Sequence, residues 1–157
     1  MAICEEAFDG VRLVKEWYEN GQLKFEGTYK DGRAEGLRRE WYEIGQLASE
    51  STYRGGKLDG LWRQWYKHGQ LEYEGVYNAG KPEELHRRWH ENGQLKFESS
   101  YKNGKANGLR REWYDNGQLE LEGSFKDGMQ EGLHRRWHEN GQLGSEKTFK
   151  QGKTQRL

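Results

Sequence analysis

Paired histidines, recurring glutamates and doubled arginines are the side chains here that could do chemistry. His86 with His90, and His134 with His138, offer imidazoles of the kind that hold zinc. Along a strand, partners four residues apart stand about 13 Å apart, and two such pairs two repeats away from each other are separated by about 19 Å, against the ~2.1 Å that each ligand of a shared ion needs. Those distances argue against a shared metal site. Glu26, Glu50, Glu74, Glu98, Glu122 and Glu146 recur every 24 residues. Successive hairpins would hold their carboxylates about 9.6 Å apart, near the outer limit for an inverting glycosidase. Each one falls opposite a base, however, and a role repeated in every module is architectural rather than the singular acid and base of an active site. Arg38-Arg39, Arg87-Arg88, Arg110-Arg111 and Arg135-Arg136, beside tryptophans and tyrosines, could stack on single-stranded nucleic acid. One arginine of each run is already opposite a glutamate, and 26 basic residues balance 26 acidic ones, so no global field draws a nucleic acid. No nucleophile–base–acid set, phosphate loop or cysteine–histidine cluster is present. The expectation is no enzyme, no catalytic or metal residues, no cofactor and no nucleic-acid partner.

What must position these side chains is a repeat. Asn-Gly-Gln-Leu or a close variant occurs six times at a spacing of 24 residues, with its glycine at 21, 45, 69, 93, 117 and 141. Tryptophan keeps the same period from Trp17 to Trp137, and a second glycine from Gly32 to Gly152. Such periodicity is the mark of stacked modules that touch only their neighbours. In the module 37–60 two aromatic and β-favouring runs, about 37–43 and 46–54, flank Ile44-Gly45, where four other modules have Asn-Gly, the dipeptide of two-residue hairpin turns. The second connection, Lys30 to Gly36 and its equivalents, carries two glycines suited to positive φ. With a single proline and no sustained helical period, the fold class is all-β: an elongated repeat of six 24-residue β-hairpins forming a single twisted antiparallel meander sheet, with twelve strands spanning roughly 55 Å. Residues 13–157 form this repeat domain, and residues 1–12 form an N-terminal cap in which 3–8 run as a partial strand over one edge.

A two-residue turn at 44–45 pairs positions whose numbers sum to 89. Arg39 then faces Glu50, and the same arithmetic pairs Arg63 with Glu74, Arg87 with Glu98, Arg111 with Glu122, Arg135 with Glu146 and Lys15 with Glu26. A base meets an acid in every module, which supports the register independently of the turn. One face carries Leu37, Arg39, Trp41 and Glu50 with their equivalents, and the other Arg38, Glu40, Tyr42, Leu47 and Tyr53.

These residues resemble a known family. Asn-Gly-Gln-Leu, Glu26-Gly27-Thr28-Tyr29, Lys-Asp-Gly and then Glu-Gly-Leu-x-x-x-Trp-Tyr resemble the MORN repeat (membrane occupation and recognition nexus) over about residues 11–153. The closest likeness is to the bacterial variant seen in YwqK-like antitoxin proteins. The resemblance implies an extended sheet of hairpins without catalytic residues that serves as a scaffold for protein partners, in some cases with phospholipid association. The expected function is therefore a non-catalytic scaffold that binds a protein partner, in the finer reading an antitoxin or immunity-type protein facing a toxin. A phospholipid-associating scaffold is the alternative.

Function is sought where the period breaks. Trp62 is the extra tryptophan and replaces the arginine of Arg38; Lys67-His68 replaces Glu-Asn at a turn; Pro82-Glu83-Glu84 removes the glycine found at Gly36, Gly60, Gly108 and Gly132. An exposed tryptophan is a frequent interface anchor, so Trp62, Tyr66, His86, Arg88 and His90 are the candidate partner-binding residues. The lone Cys4 cannot form an internal disulfide, and the chain opens without a basic leader or apolar stretch. A cytoplasmic location is expected, with self-association through edge strands as a further possibility.

Overall fold

The computed structural model describes residues 2–8 and 10–155, with side chains from Gly10 onward. Among them there is no helix. The chain divides into two compact units, Met1–Lys81 and Pro82–Leu157. The first holds β1 (Ala2–Phe8), β2 (Val11–Trp17), β3 (Leu23–Lys30), β4 (Arg33–Trp41), β5 (Leu47–Arg54), β6 (Lys57–Trp65) and β7 (Leu71–Asn78). The boundary falls at the start of β8 (Lys81–Trp89), followed by β9 (Leu95–Lys102), β10 (Lys105–Trp113), β11 (Leu119–Lys126), β12 (Met129–Trp137), β13 (Leu143–Lys150) and the short β14 (Lys153–Thr154). Within each unit every strand pairs antiparallel with the next in chain order. The all-β hairpin meander expected from the period is what the chain forms. The expected partial strand at residues 3–8 is β1, paired with β2 along its length, and the end of the tail, residues 156 and 157, lies outside the described residues.

The two turns of each module exchange the roles expected of them. At Asn20-Gly21 the loop has three residues: Gly21 N–H donates to Tyr18 O at 3.0 Å and Tyr18 N–H to Gln22 O at 2.9 Å, and the loop's third residue, Gly21, has φ +82°. That pattern is a type I turn closed by a glycine bulge. Asparagine does not adopt positive φ there. The two-residue turns lie at the other end, where both central residues are left-handed, as at Asp31 (φ 48°) and Gly32 (φ 74°) or Asn103 (φ 52°) and Gly104 (φ 83°). Positive φ at both positions defines the primed turn that matches strand twist. The stretch from Lys30 to Gly36 is consequently not a loop, because β4 starts at Arg33.

Register follows the expected sum through Arg39↔Glu50 and Glu40↔Ser49 and then shifts, so that Trp41 faces Leu47. The bulge places Leu47 opposite Trp41, not on the face with Arg38. A second bulge lies near the other turn, where pairing jumps between Tyr29↔Ala34 and Gly27↔Arg38. Gly36 occupies it at φ +80°; its counterpart Glu84 does so at φ +60° without a glycine, a conformation that costs a side chain roughly 1 kcal/mol.

Candidate functional site

A column of side chains runs across one face of each unit, each opposite a small residue. In the first unit Arg38 lies between Gly27 and Ser51, and Trp62 between Ser51 and Gly75. In the second, His86 faces Ser99, and Arg110 lies between Ser99 and Gly123. The small residues let planar groups lie against the sheet. A Cβ added to Gly123 would stand 2.2 Å from His134 Nδ1, so the imidazole rests on that glycine's backbone. Rings on the adjoining strands wall each planar group. The Arg38 guanidinium is 4.9 Å from the Phe25 centroid and that of Arg110 5.0 Å from Phe97. Trp62 lies 4.9 Å from Tyr73 and 5.7 Å from Tyr77. Such cation–π and edge-to-face contacts add about 0.5–1.5 kcal/mol each beyond area burial.

The five residues singled out from the sequence occupy different environments. Trp62 and Tyr66 belong to the first unit; His86, Arg88 and His90 to the second. Trp62 is half-buried in its own ring column. Tyr66 is half-buried, and its ring stacks on His68 at 5.7 Å with an 11° interplanar angle. His86 is only 3% exposed; its Nε2 stands 3.2 Å from Glu83 O and its ring 4.8 Å from Tyr101. It fills the slot that Arg38 or Trp62 fills elsewhere and presents almost no surface. His90 Nε2 lies 2.8 Å from Trp113 O, the contact that Tyr18, Tyr42 and Tyr114 make through their hydroxyls to Trp41, Trp65 and Trp137. It is therefore a stitch between modules. Arg88 is exposed.

Every base–acid pair expected from register is formed. Arg39–Glu50, Arg63–Glu74 and Arg111–Glu122 meet at 2.8 Å, Arg135–Glu146 at 2.7 Å, Lys15–Glu26 at 3.2 Å and Arg87–Glu98 at 3.6 Å. Glu26, Glu50, Glu98 and Glu122 also face the base of the following module in register, as Glu98 faces Arg111. The side chains remain partly solvated, so each pair contributes only about 0.2–1 kcal/mol. The hydrogen bond from Arg111 to Glu122, aided by the charges of Glu122 and Glu98, holds its guanidinium above the ordinary arginine value. Burial lowers Arg38, but its hydrogen bond to Glu40 and that residue's charge outweigh the loss. Burial, with Glu72 nearby, raises the Tyr42 phenol and favours the proton it donates to Trp65 O.

The first unit also contains a groove of about 680 Å³ that the sequence did not suggest. Val14, Phe25 and Tyr29 are among its walls, with Tyr18, Trp41 and Tyr42 at its end toward the three-residue turns. No break in the repeat marks it, because its walls are drawn from β2, β3, β4 and β5 together.

Among the described residues, no group of three His, Cys, Asp or Glu is placed to hold a metal ion. No curated protein matches the chain. The MORN repeat variant does match, in six segments at residues 13–31, 34–54, 58–79, 85–103, 106–127 and 130–151, each ending at or just before the two-residue turn that closes a module. With six matched segments spanning most of its length and a hairpin per module, the chain belongs to the MORN repeat variant family, whose repeats are non-enzymatic scaffold elements for protein or membrane binding.

Proposed function

We propose that this protein is a cytoplasmic, non-catalytic scaffold that binds a protein partner, and that it acts as an antitoxin or immunity-type protein by occluding that partner. The observation that carries the reading is the incomplete cover of a ring-rich sheet. Among described hydrophobic residues only Val14, Phe25 and Tyr73 are buried, while Leu37, Leu109 and Leu133 are 41%, 37% and 40% exposed. Half-exposed rings on one face, and exposed leucines among satisfied ion pairs on the other, give each face the mixed apolar and polar composition of a protein interface. The charge balance favours a protein over an anionic bilayer, for which attraction scales with clustered lysine and arginine. Trp62 and Tyr66 supply contact surface in the first unit and Arg88 does so in the second. His86 contributes by shaping the sheet beneath.

The test is affinity capture from native lysate with mass spectrometry, comparing wild type with Arg88→Glu and the control Arg54→Glu. A partner recovered by wild type and the control, and depleted with Arg88→Glu, supports the reading. Salt-sensitive flotation with anionic liposomes, in the absence of any captured protein, would overturn it in favour of the phospholipid scaffold.

A further inference from the structure

We propose that Asn140 is a site of spontaneous deamidation, converted through an intramolecular succinimide to aspartate and isoaspartate, and that the fold suppresses the same chemistry at its counterparts Asn20, Asn92 and Asn116. The inference concerns the chain's own chemistry and stands apart from the partner-binding reading. The four asparagines form a matched series. Each is exposed, precedes the bulge glycine of a three-residue turn and lies within Glu-Asn-Gly-Gln-Leu, or Asp-Asn-Gly-Gln-Leu at Asn116. In each, Oδ1 accepts from the backbone N–H of the glutamine two residues on, at 2.9–3.0 Å, and the glycine N–H donates within the turn at 2.8–3.0 Å. Flanking sequence and turn geometry are therefore held constant.

What differs is the partner of the side-chain nitrogen. Asn20 Nδ2 donates to Glu43 O at 2.8 Å, Asn92 Nδ2 to Asp115 O at 2.6 Å and Asn116 Nδ2 to Glu139 O at 3.0 Å, each a backbone carbonyl 23 residues away. Asn140 Nδ2 instead donates to Gln142 Oε1 at 3.3 Å, inside its own turn. A long bond between two exposed, rotatable side chains holds an amide less firmly than a short bond to a carbonyl fixed in the next module. The other Asn-Gly pairs are restrained through the backbone. Asn103 N–H donates to Glu83 Oε1 at 2.8 Å and Gly104 N–H to Pro82 O at 3.0 Å, and Asn107-Gly108 lies within β10, where Gly108 faces Phe125.

The reaction needs the freedom that Asn140 has. Gly141 N attacks Asn140 Cγ, an approach that glycine permits because it has no Cβ to obstruct it. The new N–Cγ bond replaces the Cγ–Nδ2 bond; the proton leaving Gly141 N goes to Nδ2, which departs as ammonia and leaves a succinimide ring. Water then opens the ring at either carbonyl, giving aspartate or isoaspartate with one new carboxylate. Isoaspartate also adds a methylene to the main chain next to Glu139, whose carbonyl accepts from Asn116 Nδ2, so the modification slackens the margin that Asn116 stitches.

The test ages the 157-residue protein in warm, mildly alkaline buffer, follows ammonia release and assigns aspartyl and isoaspartyl products by peptide mapping. Asn140 should convert roughly fivefold faster than Asn20, Asn92 or Asn116, the factor equivalent to about 1 kcal/mol, one net hydrogen bond. In concentrated guanidinium the turns are gone and the four rates should converge. Asn140→Gln, an exposed substitution, should remove the fast phase of ammonia release. Conversion at Asn140 no faster than at Asn116 in the folded protein, reaction concentrated at Asn103 instead, or the same ranking retained in guanidinium would overturn the proposal.

Discussion

Within each unit the two margins of a hairpin are both sewn to the next module, but with different thread. Along the Asn-Gly margin the stitches are side chains. Tyr18 Oη donates to Trp41 O at 2.7 Å, Asn20 Nδ2 to Glu43 O at 2.8 Å, and Asn20 Oδ1 accepts from Gln22 N–H at 3.0 Å. Along the opposite margin the common stitch is backbone to backbone: Gly56 N–H to Ala34 O, Gly80 to Leu58, Gly104 to Pro82, Gly128 to Ala106 and Gly152 to Gln130, all at 2.7–3.0 Å. A side-chain stitch restricts residue type, whereas a backbone stitch leaves its neighbours free. That difference accounts for the recurring Tyr or His and Asn on one margin, and for Asp31, Gly55, Ala79, Asn103, Asp127 and Gln151 at one turn position on the other. Regularity in this sequence records the sewing more than the turn.

The comparison breaks most readily on the side-chain margin. Tyr114→Phe combined with Asn116→Ala removes three hydrogen bonds, Tyr114 Oη to Trp137 O, Asn116 Nδ2 to Glu139 O and Gln118 N–H to Asn116 Oδ1. It should cost about 2–3 kcal/mol in denaturant unfolding, with amide exchange accelerating first around residues 137–141. A loss below that of the backbone margin would show that the asparagine is retained for its turn alone. Glu84→Gly probes backbone strain beside the other margin and should stabilise the protein by roughly 1 kcal/mol, read as a higher denaturation midpoint. Glu131→Ala, which removes the acceptor of Gln151 N–H at 2.8 Å, should cost only about 0.5 kcal/mol because the bond is exposed and the Gly152 stitch persists. Smallest is the coupling between Arg87 and Glu98. A double-mutant cycle built on Arg87→Glu and Glu98→Arg should give about 0.3 kcal/mol, and strict additivity would count against contact.

The register is legible in the sequence because strand periodicity is two and acids recur opposite bases, so arithmetic pairs Arg39 with Glu50. The turn at Asn20-Gly21 is not, since Asn-Gly serves both a primed two-residue turn and a type I turn with a glycine bulge. The asparagine does not decide between them, because Ile44-Gly45 and His68-Gly69 close the same three-residue loop without one. The burial of His86 was equally hidden. A histidine reads as polar until Ser99 and Tyr101 are seen to make a slot for its ring. The groove lined by Phe25 and Tyr29 escaped because its walls come from four successive strands, β2 to β5, so no single run of residues announces it.

The alternation of bases and acids bears on how such a chain can grow. Each 24-residue module brings one base and one acid to the row that includes Lys15, Glu26, Arg39 and Glu50. Duplicating a module in frame therefore inserts a matched pair whose acid meets the next module's base and whose base meets the preceding acid. Neither the charge of the row nor its register changes, whereas an insertion of half a module would juxtapose like charges and meet repulsion at the junction. The row thus acts as a proofreading key for copy number, admitting whole repeats and penalising fractional ones.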